Sequence, residues 1–247
     1  MKPPCSRKVC YNKGESTKGW CIMEVTPFYD KKMSCLNCKE PFTTTRIRSR
    51  FARVASTDSD FKPNYADSDV NPLFYNIAVC PSCGFSFTDD FAPYFAPGTK
   101  EQIASVITAG WKPHSLSGER TIEDAIAAYK LGYLSAMVKK EKSITTAGIT
   151  LRTAWLYRIL EHHEEEQRFL TLARNLYEEA YSADDHAGTQ MSESRVLYMV
   201  AELSWRTGDR EKAVQYFSKI IETQRTSTEP QLIEMAKERW QEIREEK

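Results

Sequence analysis

The sequence predicts an α+β chain: a small β module over about residues 23–98, then an all-α domain over about residues 99–247. Three observations predict it. Two C-x-x-C pairs, Cys35-Leu-Asn-Cys38 and Cys80-Pro-Ser-Cys83, lie with 41 residues between them. Short β-branched and aromatic runs broken by turn residues fill the stretch around them. Beyond about residue 99 the apolar residues switch to spacings of three and four, the period of a helix.

Composition bounds the rest. Apolar residues make up 41% and charged residues 28% of 247, an ordinary globular balance. No apolar run approaches the roughly 20 residues needed to cross a bilayer. The first 22 residues lack the apolar centre of a signal peptide, so a cytoplasmic location is expected. The net charge is zero. Residues 24–98 carry eight Lys/Arg against nine Asp/Glu, and residues 99–247 carry 21 against 24. Neither region is basic, which weighs against a chain that lives on nucleic acid.

Residues 1–22 hold Pro3-Pro4, Gly14, Gly19 and three cysteines, Cys5, Cys10 and Cys21, without a periodic apolar pattern. They read as a flexible tail or an upstream extension, with Met23 opening the domain. Whether those cysteines supply an extra metal ligand or a redox thiol is left open.

The paired cysteines carry the strongest chemistry. One tight C-x-x-C turn presents two sulfurs to one ion, and two such turns complete a tetrahedral set of four thiolates. That is the donor set of a structural Zn2+ in a zinc-ribbon or rubredoxin-like β module. Four sulfurs leave no open coordination position, which favours a structural over a catalytic metal. Gly84, directly after Cys83, frees the second turn to take a positive φ so that backbone N–H groups can face the sulfurs. The 41 intervening residues exceed a compact ribbon and are expected to fold as an insertion.

Within the β module, Phe42–Thr45 and Ile47–Val54 read as strands, and Leu73–Val79 as an apolar run leading into Cys80. Ser56–Pro72, rich in Asp, Ser, Asn and Pro, reads as a loop. So small a core is expected to depend on its metal. Phe91–Gly98, with Pro93 and Pro97, reads as the connector.

The helical half shows a stripe of Ile122, Ala125, Ile126, Tyr129, Tyr133 and Met137, then Leu151, Ala154, Tyr157 and Ile159. Phe169, Leu172, Ala173, Leu176, Tyr177 and Ala180 continue it. Gly208-Asp209 reads as a helix-ending glycine followed by an N-cap. Pro230–Glu246 reads as a closing helix.

Leu197, Val200, Ala201, Gly208, Ala213, Phe217 and Ile220 resemble a tetratricopeptide repeat, with large, large, small, turn, small, aromatic and apolar residues in order. Ala154 and Tyr157, then Ala173, Tyr177 and Ala180, match a preceding repeat, with Glu161–Gln167 as extra residues between its helices. Ser204, Thr153 and the missing terminal proline depart from the pattern. From Met23 onward the chain also resembles an uncharacterised bacterial family known as domain of unknown function 2225. The residues that carry this are Glu24-Val25-Thr26-Pro27, Asp30-Lys31-Lys32, the four cysteines, Arg48-Ser49-Arg50-Phe51, Asn71-Pro72-Leu73-Phe74-Tyr75 and Ala154-Trp155-Leu156-Tyr157-Arg158. That resemblance implies a fold and no activity.

Function follows by elimination. The four histidines, His114, His162, His163 and His186, sit in polar contexts far from the cysteines, and His162-His163 reads as a solvated turn. No phosphate loop, nucleophile elbow or H-E-x-x-H segment is present, so no enzyme is expected. A zinc-binding adaptor or scaffold that takes a protein or peptide partner in the helical groove is the favoured expectation. Arg195, Tyr198, Glu202, Trp205 and Arg206 would face that groove, with Trp155, Arg158 and Leu151 one repeat earlier; against this, Trp155 and Trp205 would be core residues. The alternative is a nucleic-acid-associated factor using Arg46, Arg48, Arg50 and Arg53, three of them alternating along one strand face. The plainer account of those arginines is pairing with Asp58, Asp60, Asp67 or Asp69, or offsetting the charge of a zinc–thiolate centre.

Overall fold

The computed structural model describes residues 25–67, 69–225 and 227–246. Residues 1–24, and with them Cys5, Cys10, Cys21 and Met23, lie outside the described residues. Among the described residues, three antiparallel strand pairs precede seven α-helices. β1 (Phe28–Ser34) pairs with β2 (Pro41–Ile47), from Phe28 opposite Ile47 to Ser34 opposite Pro41. β3 (Val54–Thr57) pairs with β4 (Pro63–Tyr65) through a register shift at Val54/Ser56, and β5 (Ala78–Val79) pairs with β6 (Ser86–Phe87).

Three local expectations change. Ile47–Val54 is not one strand: β2 ends at Ile47, and Ser49–Phe51 close a 3-10 turn through Phe51 N–H to Arg48 O at 2.9 Å. Of Leu73–Val79 only Ala78–Val79 is strand. Pro72 opens a 3-10 turn there, and the Asn71 side chain accepts from Leu73 N–H at 3.0 Å. The stretch 56–72, read as loop, contains the end of β3 and all of β4.

The helices are α1 (Thr99–Val106), α2 (Ile122–Lys139), α3 (Ser143–Ile159), α4 (His163–Ser182), α5 (Glu193–Arg206), α6 (Arg210–Glu222) and α7 (Pro230–Glu245). Each packs on the next from α1 to α7, and α5 also touches α7. Thr121 and Asp124 form a reciprocal capping box at the start of α2. At the end of α5, Gly208 takes φ +82°; its N–H reaches Trp205 O and that of Asp209 reaches Ser204 O. Asp209 then accepts from Lys212 N–H at 3.1 Å and starts α6, as its sequence implies. Glu161–Gln167 are not extra residues, because α4 itself begins at His163. Met137 and Ile159 leave the predicted stripe and are 49% and 42% exposed.

One buried apolar cluster runs without a break from Cys35 to Ile243. Ile77 lies against Gly132 of α2, where an added Cβ would come within 3.1 Å of Ile77 Cδ1. Ser135 Oγ accepts from Ser86 N–H at 3.0 Å, and Tyr129 donates to Leu73 O at 2.9 Å. Arg120 Nη1 donates to the carbonyls of Phe74 and Ile77, both at 2.9 Å. The β part therefore has apolar burial beyond the metal site: Ile77 and Phe85 are fully buried, each worth about 2–3 kcal/mol, Ile77 against α2 and Phe85 among Phe87, Phe91 and Phe95. No helix among the described residues is long and apolar enough to cross a membrane.

Candidate metal centre and groove

The two C-x-x-C turns share one geometry. In the first, Cys35 N–H donates to Glu40 O and Lys39 N–H to Cys35 O; in the second, Cys80 N–H donates to Phe85 O and Gly84 N–H to Cys80 O. The residue closing each turn is left-handed, Lys39 at φ +65° and Gly84 at φ +74°. Glycine meets this at no steric cost, whereas Lys39 takes it with a Cβ. Backbone N–H groups of Asn37 and Cys38 face Cys35 Sγ, those of Ser82 and Cys83 face Cys80 Sγ, and that of Phe85 faces Cys83 Sγ.

The hairpins β1–β2 and β5–β6 bring the four sulfurs within 4.8 Å of one another. Cys35–Cys83 and Cys38–Cys80 are each separated by 3.7 Å. A tetrahedron with metal–sulfur bonds of about 2.3 Å has edges of about 3.8 Å. The donor set therefore fits one tetrahedral metal ion, and the four cysteines are free thiols, not disulfides. Cys35, Cys80 and Cys83 are buried and Cys38 is exposed. Without a metal, the hydrogen bond shared with Cys83 raises the Cys35 thiol and, from the other side, lowers Cys83 to about 5; burial raises Cys80 to about 11.

Trp111, which sequence reasoning passed over, covers the second turn. Its Nε1 donates to Pro81 O at 2.9 Å, and a Cβ on Gly84 would come within 2.6 Å of its ring. Thr108 Oγ1 donates to Cys83 O at 3.1 Å.

The tip of β3–β4 enters the helical half. Asp60 is fully buried and accepts from Arg158 Nη2 at 2.7 Å, Arg158 Nη1 at 3.1 Å and Trp155 Nε1 at 3.0 Å. Asp58 accepts from Arg158 Nη1 at 3.0 Å, and Glu166 holds Arg158 Nε at 2.6 Å. Ser59 donates to Glu202 at 2.6 Å and accepts from Arg206 Nη2 at 2.8 Å. Glu202, fully buried, also accepts from Arg206 Nε and Arg239 Nε. Phe61, at φ +65°, sets its ring 5.2 Å from that of Tyr198.

Of the residues assigned to the groove, Trp155, Arg158, Tyr198, Glu202 and Arg206 thus meet around one segment, Asp58-Ser59-Asp60-Phe61, from their own chain. Trp205 is half-buried against the core, and Arg195 is engaged elsewhere, with Glu229 at 2.6 Å. Asp58 and Asp60 pair across the molecule with Arg158, and not with the arginines of their own β module. A separation of 98 residues left no local signal of this pairing. Burial pushes the Asp60 carboxyl up, but the Arg158 hydrogen bond and the Arg206 and Arg158 charges outweigh it and hold it below the usual aspartate range.

Arg46, Arg48, Arg50 and Arg53 do not share a strand face. Arg46 lies in β2, donates to Tyr75 O and sits 3.9 Å from Asp89. Arg48 and Arg50, beyond the end of β2, donate to Thr26 O and Val25 O, and Arg53 is exposed ahead of β3.

Fold and site together define a mixed chain in which a four-cysteine cluster that could hold a metal ion, set on two hairpins, is joined to a run of helices packed in order. The chain belongs to the family described as "Uncharacterized protein conserved in bacteria (DUF2225)", which matches residues 28–243. It is also similar to an "Uncharacterized protein" of Borreliella burgdorferi (strain ATCC 35210 / DSM 4680 / CIP 102532 / B31), with 24% identity over 177 residues. That match takes in 64% of this chain and 63% of the relative's length. No solved structure matches the chain.

Proposed function

We propose that this chain is a cytoplasmic zinc-binding adaptor. In this reading Cys35, Cys38, Cys80 and Cys83 hold a structural Zn2+ in zinc-ribbon fashion, and the tetratricopeptide-like helices take an extended acidic segment of a protein partner in their groove. Four-sulfur coordination supports a metal that holds structure and leaves no position for substrate.

One observation carries the adaptor reading. The groove already seats a peptide, Asp58-Ser59-Asp60-Phe61, by charge on Arg158 and Arg206 and by ring contact on Tyr198. A partner with the same Asp-x-Asp-aromatic pattern would compete with this tip. The tip's tether gives it a high effective concentration, so exchange requires that its hold be weakened.

The test is a fluorescent peptide copying residues 54–65, titrated into the whole chain and into an Asp58→Asn/Asp60→Asn variant. The variant is expected to bind at least tenfold more tightly than the unaltered chain, and adding Arg158→Gln should abolish the gain. No binding to either chain at about 100 μM, near −5.5 kcal/mol, refutes an exchangeable groove. Elemental analysis is expected to return one zinc per chain; iron in its place would correct the metal and leave the groove untouched.

A further inference from the structure

Beneath the β3–β4 hairpin, between it and α3, α4 and α5, lies a cavity of about 330 Å³. Its size falls at the lower end of the range for small-molecule sites. Arg152 of α3 lines it, half-buried, and among the described residues it pairs with no carboxylate. Its single hydrogen bond there is from Nη1 to Gly148 O at 3.0 Å. The Nε–Nη2 edge, the side that matches the two oxygens of a carboxylate, is left without a protein partner.

Two further features surround that edge. Tyr177 is 5% exposed and Tyr65 half-buried, both line the cavity, and neither hydroxyl has a hydrogen-bond partner among the described residues. Burial pushes the Tyr177 phenol up to about 12 and raises that of Tyr65, with Arg152 drawing each part of the way back. Both therefore stay neutral O–H donors beside a cation. Gly148 is the second feature. A Cβ there would lie 3.0 Å from Arg152 Nη1, so the glycine, unfavourable inside a helix, lets the guanidinium fold back along α3.

Apart from Asn76 and Asp60, the remaining wall is apolar. Trp155, Met191 and Met199 contribute a flat indole and two adaptable thioethers. Asp60 also reaches the cavity, but Arg158 and Trp155 occupy its oxygens. The one cation without a counter-ion in this space is Arg152, and leaving a partly buried charge uncompensated is costly.

We propose that this cavity binds a small carboxylic acid with a compact aromatic body. The carboxylate lies on the Nε–Nη2 edge of Arg152 and accepts from the Tyr65 and Tyr177 hydroxyls, while the ring packs between Trp155 and the two methionines. The cavity shares its β3–β4 wall with the segment that the adaptor reading displaces, but its test is made on the chain with that hairpin in place and does not depend on any exchange.

Fluorine NMR of the whole protein with 4-fluorophenylacetate, against its neutral amide 4-fluorophenylacetamide, tests it. The acid is expected to give a saturable shift at millimolar concentration or below and to bind at least tenfold more tightly than the amide. Arg152→Gln should bring acid and amide to the same affinity. Tyr177→Phe should weaken the acid several-fold with the helical circular dichroism unchanged, and it carries the test if Arg152→Gln does not fold. No saturable shift, equal binding of acid and amide, or undiminished acid binding in both variants overturns the proposal.

Discussion

Replacing Asp60 by alanine is expected to be the most damaging single change in the insertion. The side chain is fully buried, and its carboxylate is held by two nitrogens of Arg158 and by Trp155, with Arg206 at 3.9 Å. Removing one partner of a buried ion pair costs about 3–5 kcal/mol, since the survivor keeps its desolvation without its counter-ion. Arg158 retains Asp58 at 3.0 Å and Glu166 at 2.6 Å, which places the loss at the lower end, about 3 kcal/mol. In a chain of this length that corresponds to a Tm lower by about 6–12 °C. Asp60→Asn keeps the shape and an oxygen for Trp155, and should cost about 2 kcal/mol. Asp58→Ala removes a carboxylate that is 29% exposed and should cost less than about 1 kcal/mol. Thermal unfolding followed by circular dichroism and tryptophan fluorescence reads all three. Equal losses from Asp58→Ala and Asp60→Ala would refute the reasoning. The pH dependence adds a sign. Asp60 titrates below its usual range when folded, so its stabilisation is complete above about pH 4 and is lost as the pH falls through the folded value. Asp60→Asn should flatten that acid limb.

Gly84→Ala must place a Cβ at φ +74° and 2.6 Å from the Trp111 ring. It should shift tryptophan emission and speed metal loss to a chelator; unchanged chelation kinetics would count against the coupled turn. Cys83→Ser should lower metal content below that of the unaltered chain while the helical signal persists, and full retention of metal would remove the site. In a double-mutant cycle, Cys83→Ser and Asp60→Asn should add to within about 1 kcal/mol, read by urea midpoints.

What the sequence made legible lay where one residue type answers one local demand. The cysteine spacing, the left-handed Gly84 and the Gly208-Asp209 boundary are of this kind. Where another residue meets the same demand, the signal disappears. Lys39 closes the first metal turn as Gly84 closes the second, and Glu161 ends α3 with the same left-handed geometry as Gly208 ends α5. With no glycine to mark that end, the start of α4 read as additional loop. The arginine stripe failed for a related reason, because Ile47–Val54 has strand-like composition but its backbone turns at Ser49–Phe51. The Asp58–Phe61 contacts were out of reach altogether: Trp155, Arg158, Glu202 and Arg206 stood out through the tetratricopeptide-like pattern, while the segment they touch lies 95 to 147 residues away in a stretch that reads as loop.

The insertion between Cys38 and Cys80 shows how little of its order is its own. β3 is exposed at all four residues, so the β3–β4 hairpin is held by anchors at its tip and not by a core of its own. A metal on the four cysteines would join its ends, while Asp60 fixes its middle and Arg120 and Tyr129 clamp its return. By chain entropy, a cross-link closing about 40 residues is worth about 4 kcal/mol. Halving a loop that is already closed changes the cost by only about 0.6 kcal/mol. The second figure governs communication between a metal on the cysteines and the groove, because the contacts that seat Ile77 on Gly132 and under Arg120 do not pass through the sulfurs. Metal loss should therefore loosen β1–β2 and leave the tip in place. A coupling above about 2 kcal/mol in the double-mutant cycle exceeds what loop length can supply, and would mean that the cysteines and the groove are joined by direct packing.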